Sequence, residues 1–388
     1  MRIGLITGEF PPDQGGVGDF TLRLAEALAA LGHDVHIITG PPRSDAPYDP
    51  RPVIGTVHRT VPHWRWGCWR EVLRIARQAR LDILNLQYQA AAYGMHPAVH
   101  FLPRRDRRPP VLVTFHDLRV PYLFPKAGPL RRWILFFLAR RAEGVIATNE
   151  EDFRTLEETA RLARLALVPI GSNIPPVPPP GYNRDAERAR WGVGPEDLLL
   201  GYFGFLNESK GGEELVRALA LLVERRIPAH LMMIGGEVGT SDPTNRAYAE
   251  RVRGLIAGLG LEGRVHWTGY TTPESVSAGL LATDICVLPY RDGVSFRRGT
   301  LHACLAHGRA IVTTRPAIPL AAVRDGENML LAEPRDPEGL AAAVARLASD
   351  PDLRARLEQG ARALAAEFSW ERIARRTAAF VEQLLEGR

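Results

Sequence analysis

At 388 residues the chain is long enough for two or three domains of about 150 residues, and two of about 180 is the first expectation. With 45% hydrophobic and 24% charged residues it is no disordered chain, and a core of this size forms without disulfides or a structural metal. Its three cysteines, Cys68, Cys286 and Cys304, are far apart and odd in number, which excludes a disulfide framework or a CxxC metal knuckle and favours a reducing compartment. No apolar run reaches about 18 residues, so no transmembrane helix is expected. The opening MRIGLITGEF lacks the layout of a signal peptide, and a cytoplasmic location is the expectation. The net charge is +5, and of the 49 basic residues only Lys126 and Lys210 are lysine. The arginine clusters at 104–108, 131–132 and 140–141 are short and lack interleaved aromatics, so no nucleic-acid partner is expected.

Short apolar strands alternate with longer helical stretches, the pattern of parallel sheets built from βαβ units. In the first half, strands are predicted at Ile3–Thr7, Val35–Thr39, Ile83–Leu86, Val111–Phe115 and Val145–Thr148, with helices such as Phe20–Leu31 and Gly128–Ala142 between them. The segment Ile174-Pro-Pro-Val-Pro-Pro-Pro-Gly181 can be neither a helix nor a central strand and reads as a hinge. The second half repeats the scheme at Leu198–Phe203, His230–Ile234, Val265–Thr268, Ile285–Leu288 and Ala310–Thr313, and a helical tail runs from Pro337 to Arg388. The expected architecture is α/β, two doubly wound Rossmann-like domains facing a central cleft. The boundaries are set at 1–175, a linker at 176–196, 197–368, and a final helix at 369–388. Open sheets of this kind bind ligands beyond the carboxyl ends of their strands.

Three loops carry the candidate chemistry. Thr7–Asp19 follows the first strand and opens a helix, with Gly15 and Gly16 where backbone amides and a positive helix end would attract phosphate. It is not a GxGxxG fingerprint, and a plain turn is the alternative. Gly201–Gly212 places Lys210 just before a helix N-terminus, where an ammonium can neutralise a diphosphate. It is not a P-loop, and an exposed surface lysine is the alternative, weakened by the rarity of lysine elsewhere. Asp292–Gly308 sets Arg297 and Arg298 beside a helix that opens at Gly299 and Thr300, an arrangement suited to gripping phosphate.

The residues resemble the retaining glycosyltransferases of family 4, which have the two-domain GT-B fold. The resemblance covers nearly the whole chain. It rests on GEFPPDQGGVGDFTLRLAEALAALGHDVHIIT and VLVTFHD in the first half. In the second half it rests on GYFGFLNESKGGEELVRAL, LMMIGG, RVHWTGYTTPESVSAGLLATDICVLP, LAHGRAIVTT and DGENMLLAEPRDPEGLAAAVARL. It implies a nucleotide diphosphate sugar, a UDP- or GDP-sugar, held mainly by the second domain. It also implies a glycan, lipid or small-molecule acceptor on the first domain, and a last helix returning to brace the first domain. By the same resemblance Gly15 and Gly16 approach the donor phosphates and the acceptor, and His116 lies near the transferred sugar. Lys210 holds the diphosphate, while Gly235, Gly236 and Tyr270 line the nucleotide pocket. His116 and Lys210 are the catalytic candidates, and no cofactor or metal is implied.

The chain departs from the family pattern at three positions. Phe205 stands where an arginine precedes the lysine by five residues. Ser295 and Ala303 stand where the family carries two glutamates, one beside the donor sugar and one at the ribose hydroxyls. The expectation is that Arg298 or Arg297 supplies the cation lost at Phe205, with His302 a candidate for the ribose. Retention without an enzymatic nucleophile, by attack on the face the leaving phosphate vacates, is implied by the resemblance. A degenerate binding or partner subunit stays open, as does an epimerase or hydrolase on the same fold. The arginine-flanked apolar segment 130–141 reads either as a buried helix of the first domain, the preferred reading, or as a peripheral contact with the anionic inner face of a membrane.

Overall fold

The computed structural model describes residues 1–13, 15–42, 54–104, 109–118, 128–236 and 243–387. Gln14 of the first loop, Lys126 and residues 105–108 of the basic cluster lie outside them, as do the side chains of 128–132. The chain divides into two compact units, Met1–Asn173 with Phe368–Arg388, and Ile174–Glu367.

In the first unit the strands are β1 (Arg2–Ile6), β2 (Asp34–Ile38), β3 (Thr56–His58), β4 (Ile83–Tyr88), β5 (Val111–Phe115), β6 (Gly144–Ala147) and β7 (Leu165–Leu167). They form a parallel sheet ordered β3-β2-β1-β4-β5-β6-β7. Helices α1 (Gly16–Ala30), α2 (Cys68–Gln78), α3 (Gly128–Arg141) and α4 (Glu150–Ala160) supply the crossovers. Strands β4, β5 and β6 are buried along their whole length, as central strands covered on both faces must be. The strand order reverses between β1 and β4, so the loops leaving those two strands flank the crevice where such sheets take ligands.

In the second unit, β8 (Leu198–Phe203), β9 (Ala229–Ile234), β10 (Val265–Trp267), β11 (Ile285–Leu288), β12 (Ala310–Thr314) and β13 (Leu330–Ala332) form a parallel sheet ordered β10-β9-β8-β11-β12-β13. Its helices are α5 (Arg184–Arg190), α6 (Gly212–Glu224), α7 (Pro243–Gly258), α8 (Pro273–Ala282), α9 (Gly299–Ala306), α10 (Pro337–Ser349) and α11 (Pro351–Glu367). The reversal here falls between β8 and β11, the strands whose loops carry Lys210 and Arg298.

The expected linker 176–196 is not plain linker. Asn183 caps α5 by accepting from the Ala186 amide. From that helix the buried Arg188 reaches Asp284 Oδ2 at 2.9 Å and the carbonyls of Ala282, Gly194 and Asp197. An arginine so fully bonded fixes α5 to the second unit, so the stretch after the proline-rich 174–181 is structured.

The last helix, α12 (Trp370–Glu386), is capped by Ser369 and belongs to the first unit. Its buried stripe of Ile373, Ala374, Ala378, Val381 and Leu384 joins the core formed by Leu5, Leu24 and Ile146. Trp370 Nε1 donates to the Ser172 carbonyl at 2.7 Å, and its ring packs on Phe20 with centroids 5.2 Å apart.

Candidate active site

The second unit gathers its candidate residues at the reversal of its sheet. After β8 the chain turns at Gly204 (φ +112°), where a Cβ would sit 2.6 Å from Thr300 Cγ2 and 3.3 Å from the Lys210 ammonium. Gly211 (φ +69°) then passes so close to the Pro289 carbonyl that no side chain fits. These two close approaches press the lysine loop against the loop after β11. Arg291 locks the pair of loops: its Nε donates to Glu214 at 2.8 Å, Nη2 to Glu213 at 2.6 Å and Nη1 to Glu208 at 3.1 Å. Its backbone amide also donates to the Ser209 carbonyl.

Lys210, thus placed, has no ion pair or side-chain hydrogen bond among the described residues. Burial, with the Arg298 guanidinium second, lowers its pKa from the usual lysine value to about 8. A desolvated cation without a counter-ion is a charge waiting for an anion. Beside it α9 begins. The amides of Gly299 and Thr300 have no acceptor among the described residues, and they sit at the positive end of that helix. The Thr300 hydroxyl lies 2.7 Å from the hydroxyl of the buried Tyr290.

Arg298 stands at this helix start, as expected, but it is not an unengaged cation. Its Nη2 donates to both oxygens of Asp292, at 2.5 and 2.7 Å, and Nη1 reaches Ser209 Oγ at 3.4 Å. The guanidinium stacks over Tyr290 at 4.8 Å, and its buried Nε has no hydrogen-bond partner among the described residues. Arg297 also donates to Asp292, at 3.0 Å. Arg297 and Arg298 thus share the Asp292 carboxylate. Sequence reading missed Asp292 because its partners, five and six residues on, meet it only once the turn at Ser295 has formed; there the Arg298 amide donates to the Ser295 carbonyl.

The remaining residues of this unit divide. Gly235 bridges Gly269 between the ends of β9 and β10, and its amide donates to Thr268 Oγ1 at 2.9 Å. Gly236 lies between Phe205 and Tyr270: a Cβ there would be 2.9 Å from the Phe205 ring and 3.7 Å from that of Tyr270. Both rings are exposed, so the position of the expected arginine has become an aromatic wall. His302 is turned inward. It is buried, its Nε2 pairs with the Phe296 carbonyl at 2.7 Å, and burial lowers its pKa to about 4. Ala303 is fully buried in α9.

The first unit presents a different half. Gly15 and Gly16 open α1, but Val17 and Gly18 donate their amides to Glu9 Oε1 at 3.1 and 3.4 Å. The protein's own carboxylate therefore occupies the helix end read as a phosphate site, and a Cβ at Gly15 would collide with it. Gly16 faces open space. The signal for Glu9 was an acidic residue before the glycine pair, invisible as a cap until the loop folds back.

His116 sits just past β5, with its amide on the Tyr88 carbonyl. Its Nε2–H donates to Gln87 Oε1 at 3.0 Å, and its ring meets Phe20 edge-on at 4.6 Å. Burial lowers its pKa to about 3, so at neutral pH it is an uncharged imidazole with Nδ1 as the acceptor nitrogen. In α3, expected to be buried, Leu138 and Ala139 are buried while Trp133 is 57% exposed.

Comparison with known proteins gives these two halves a common context. The model described as "Glycosyltransferase Family 4" matches residues 14–174, and the model "Glycosyl transferases group 1" matches 197–350. The D-inositol 3-phosphate glycosyltransferase of Corynebacterium urealyticum is 30% identical over 409 residues, covering 97% of this chain and 94% of that protein. The enzyme of the same name from Corynebacterium efficiens is 31% identical, covering 95% and 92%. Among solved structures, sucrose-phosphate synthase from Thermosynechococcus elongatus aligns over the full length of both chains with a TM-score of 0.75 at 23% identity. HepE of Anabaena, in complex with UDP, aligns over 99% of this chain and 100% of its own with a TM-score of 0.72 at 18% identity. The two sheets are therefore those of the GT-B fold, and the chain belongs to the family 4 glycosyltransferases of group 1.

Proposed function

We propose that the chain transfers a hexosyl group from a nucleotide diphosphate sugar to a hydroxyl acceptor, with retention at the anomeric carbon and without a metal. The observation that carries this reading is Lys210, a desolvated ammonium with no carboxylate partner among the described residues, set beside the open amides of Gly299 and Thr300 and the Arg298 guanidinium.

As the sugar–phosphate bond breaks, negative charge grows on the departing diphosphate. Fixed donors aimed at that charge lower the barrier because they need no reorganisation during the reaction. Lys210, Arg298 and the start of α9 form such a set, and Asp292 and Tyr290 hold Arg298 in place. The Phe205–Gly236–Tyr270 wall is the surface offered to the nucleoside. His116, neutral and oriented by Gln87, suits hydrogen bonding to a sugar hydroxyl better than proton donation as a cation. UDP is the first nucleotide to try, since HepE binds it, and an inositol phosphate is the first acceptor, from the names of the relatives.

The experiment is a product assay. UDP-glucose or GDP-mannose is supplied with and without an inositol phosphate, and both nucleotide release and sugar products are followed. Acceptor-dependent glycoside with the donor's anomeric configuration is expected. Free sugar or a rearranged donor without acceptor would point to a hydrolase or epimerase, and nucleotide binding without turnover to a partner subunit.

A further inference from the structure

The first unit carries a row of aromatic rings, three of them largely exposed, that lies outside the residues assigned above to the transfer. Trp66 is 61% exposed, Trp133 57% and Phe101 37%, an unusual concentration of large apolar surface on one small region. The rings touch in sequence. Trp69 and Trp66 are 6.1 Å apart, Trp66 and Phe101 5.3 Å, Phe101 and Phe137 5.4 Å, and Phe137 and Trp133 5.3 Å. Three separate segments contribute: the start of α2, the 3-10 turn Pro97–Phe101, and α3.

The local sequence explains why the rings face outward. Trp64 is buried against Tyr93, and the left-handed turn at Gly67 (φ +94°) opens α2, leaving the intervening Trp66 in solvent. On α3, Leu138 and Ala139 take the buried side, while Trp133 and Phe137 stack one turn apart toward Phe101.

The segments that carry the row are rich in arginine. Helix α3, GPLRRWILFFLARR, has four arginines and no acidic residue. Between Arg59 and Arg80 the one acidic residue is Glu71, whose carboxylate is held by Arg74 at 2.8 Å. Arg65, Arg70 and Arg140 are exposed, and Arg141 lies over the Phe137 ring at 5.0 Å.

We infer that this row is a docking surface for an anionic lipid bilayer. Indole and phenyl rings settle at the depth of the headgroups, and arginines around them are attracted to the negative surface of the membrane. A glycan platform is the less favoured reading. Trp66 is crowded edge-on by Trp69 and His96, and on its own segment the one acidic side chain, Glu71, is already engaged by Arg74. The inference does not depend on the donor or on the reaction proposed above.

The test is flotation of the full chain with vesicles of phosphatidylcholine alone and of phosphatidylcholine with 30% phosphatidylglycerol, at low and high salt. The parent chain should float with the anionic vesicles at low salt, be released as salt screens the charges, and ignore the neutral ones. The double variant Trp66→Ser/Trp133→Ser should bind the anionic vesicles at least tenfold more weakly with an unchanged melting temperature. Arg65→Glu/Arg70→Glu, which leaves the rings intact, should lose binding as well and keeps the test decisive if the tryptophan variant does not fold. Absence of parent binding at low salt, or unchanged binding in both double variants, overturns the inference. Quenching of parent tryptophan fluorescence by a soluble oligosaccharide, without flotation, would reassign the row to a glycan.

Discussion

Each unit starts a helix from a glycine-bearing loop at the point where its strand order reverses, yet the two helix starts are electrostatically opposite. At α1 the Val17 and Gly18 amides are already answered by the Glu9 carboxylate. At α9 the amides of Gly299 and Thr300 are open, and Lys210 and Arg298 add positive charge beside them. The difference teaches that glycines before a helix do not by themselves make an anion site. What decides is whether the protein has supplied its own anion. At the start of α9 the carboxylate of Asp292 is shared by two arginines, and among the described residues no carboxylate pairs with the lysine.

The largest expected effect of breaking this contrast is at Lys210. Lys210→Ala should lower kcat/KM about 10²–10³-fold, the scale for losing one donor aimed at developing negative charge, read by steady-state kinetics. Next comes Arg298→Ala. Its guanidinium shares Asp292 with Arg297, so donor binding should weaken by about 1.5 kcal/mol, roughly tenfold in Kd by calorimetry. Because Arg298 also depresses the Lys210 pKa, the same variant should shift the alkaline loss of binding to higher pH.

That alkaline loss is itself a prediction. Lys210 is protonated below about pH 8 and loses its charge above it, and a diphosphate binds the protonated form. UDP affinity should therefore be flat up to pH 7 and fall about tenfold by pH 9 in the parent. His116, with its pKa near 3, contributes no change between pH 5 and 8. The smallest effect is at the other helix start. Glu9→Gln should remove a charged cap of about 1 kcal/mol and lower the melting temperature by roughly 2–4 °C, with UDP affinity unchanged. With the carboxylate gone, sulfate should stabilise this variant more than the parent. Equal stabilisation would mean that α1 was never held by Glu9.

Much of the fold was legible in the sequence, whereas the contrast between the two helix starts was not, and each miss has a definite cause. The long buried strands declared themselves by apolar runs and glycine-rich ends, and Lys210 stood out because lysine is nearly absent elsewhere. Strands β3, β7 and β13 were not predicted: each has three residues, too few to show a period, and β3 and β7 have no fully buried position. The helix α5 was hidden behind the prolines before it, since its anchor, Asp284, lies 96 residues from Arg188. Arg298 was placed beside the diphosphate site from its position in the loop, but its commitment to Asp292 depends on backbone turns that composition does not display. His302 looked like a polar residue on a ligand-facing helix. Only the fold shows that its face of α9 is buried, with Nε2 against the Phe296 carbonyl.

Calorimetric titration of UDP into the parent and Lys210→Ala, at pH 7 and pH 9, tests the central claim most directly. The account predicts tight binding by the parent at pH 7, a loss of about tenfold at pH 9, and weak binding by the variant with no change between the two pH values. Equal affinities for parent and variant, or parent affinity that does not change with pH, would contradict the assignment of Lys210 as the cation that holds the diphosphate.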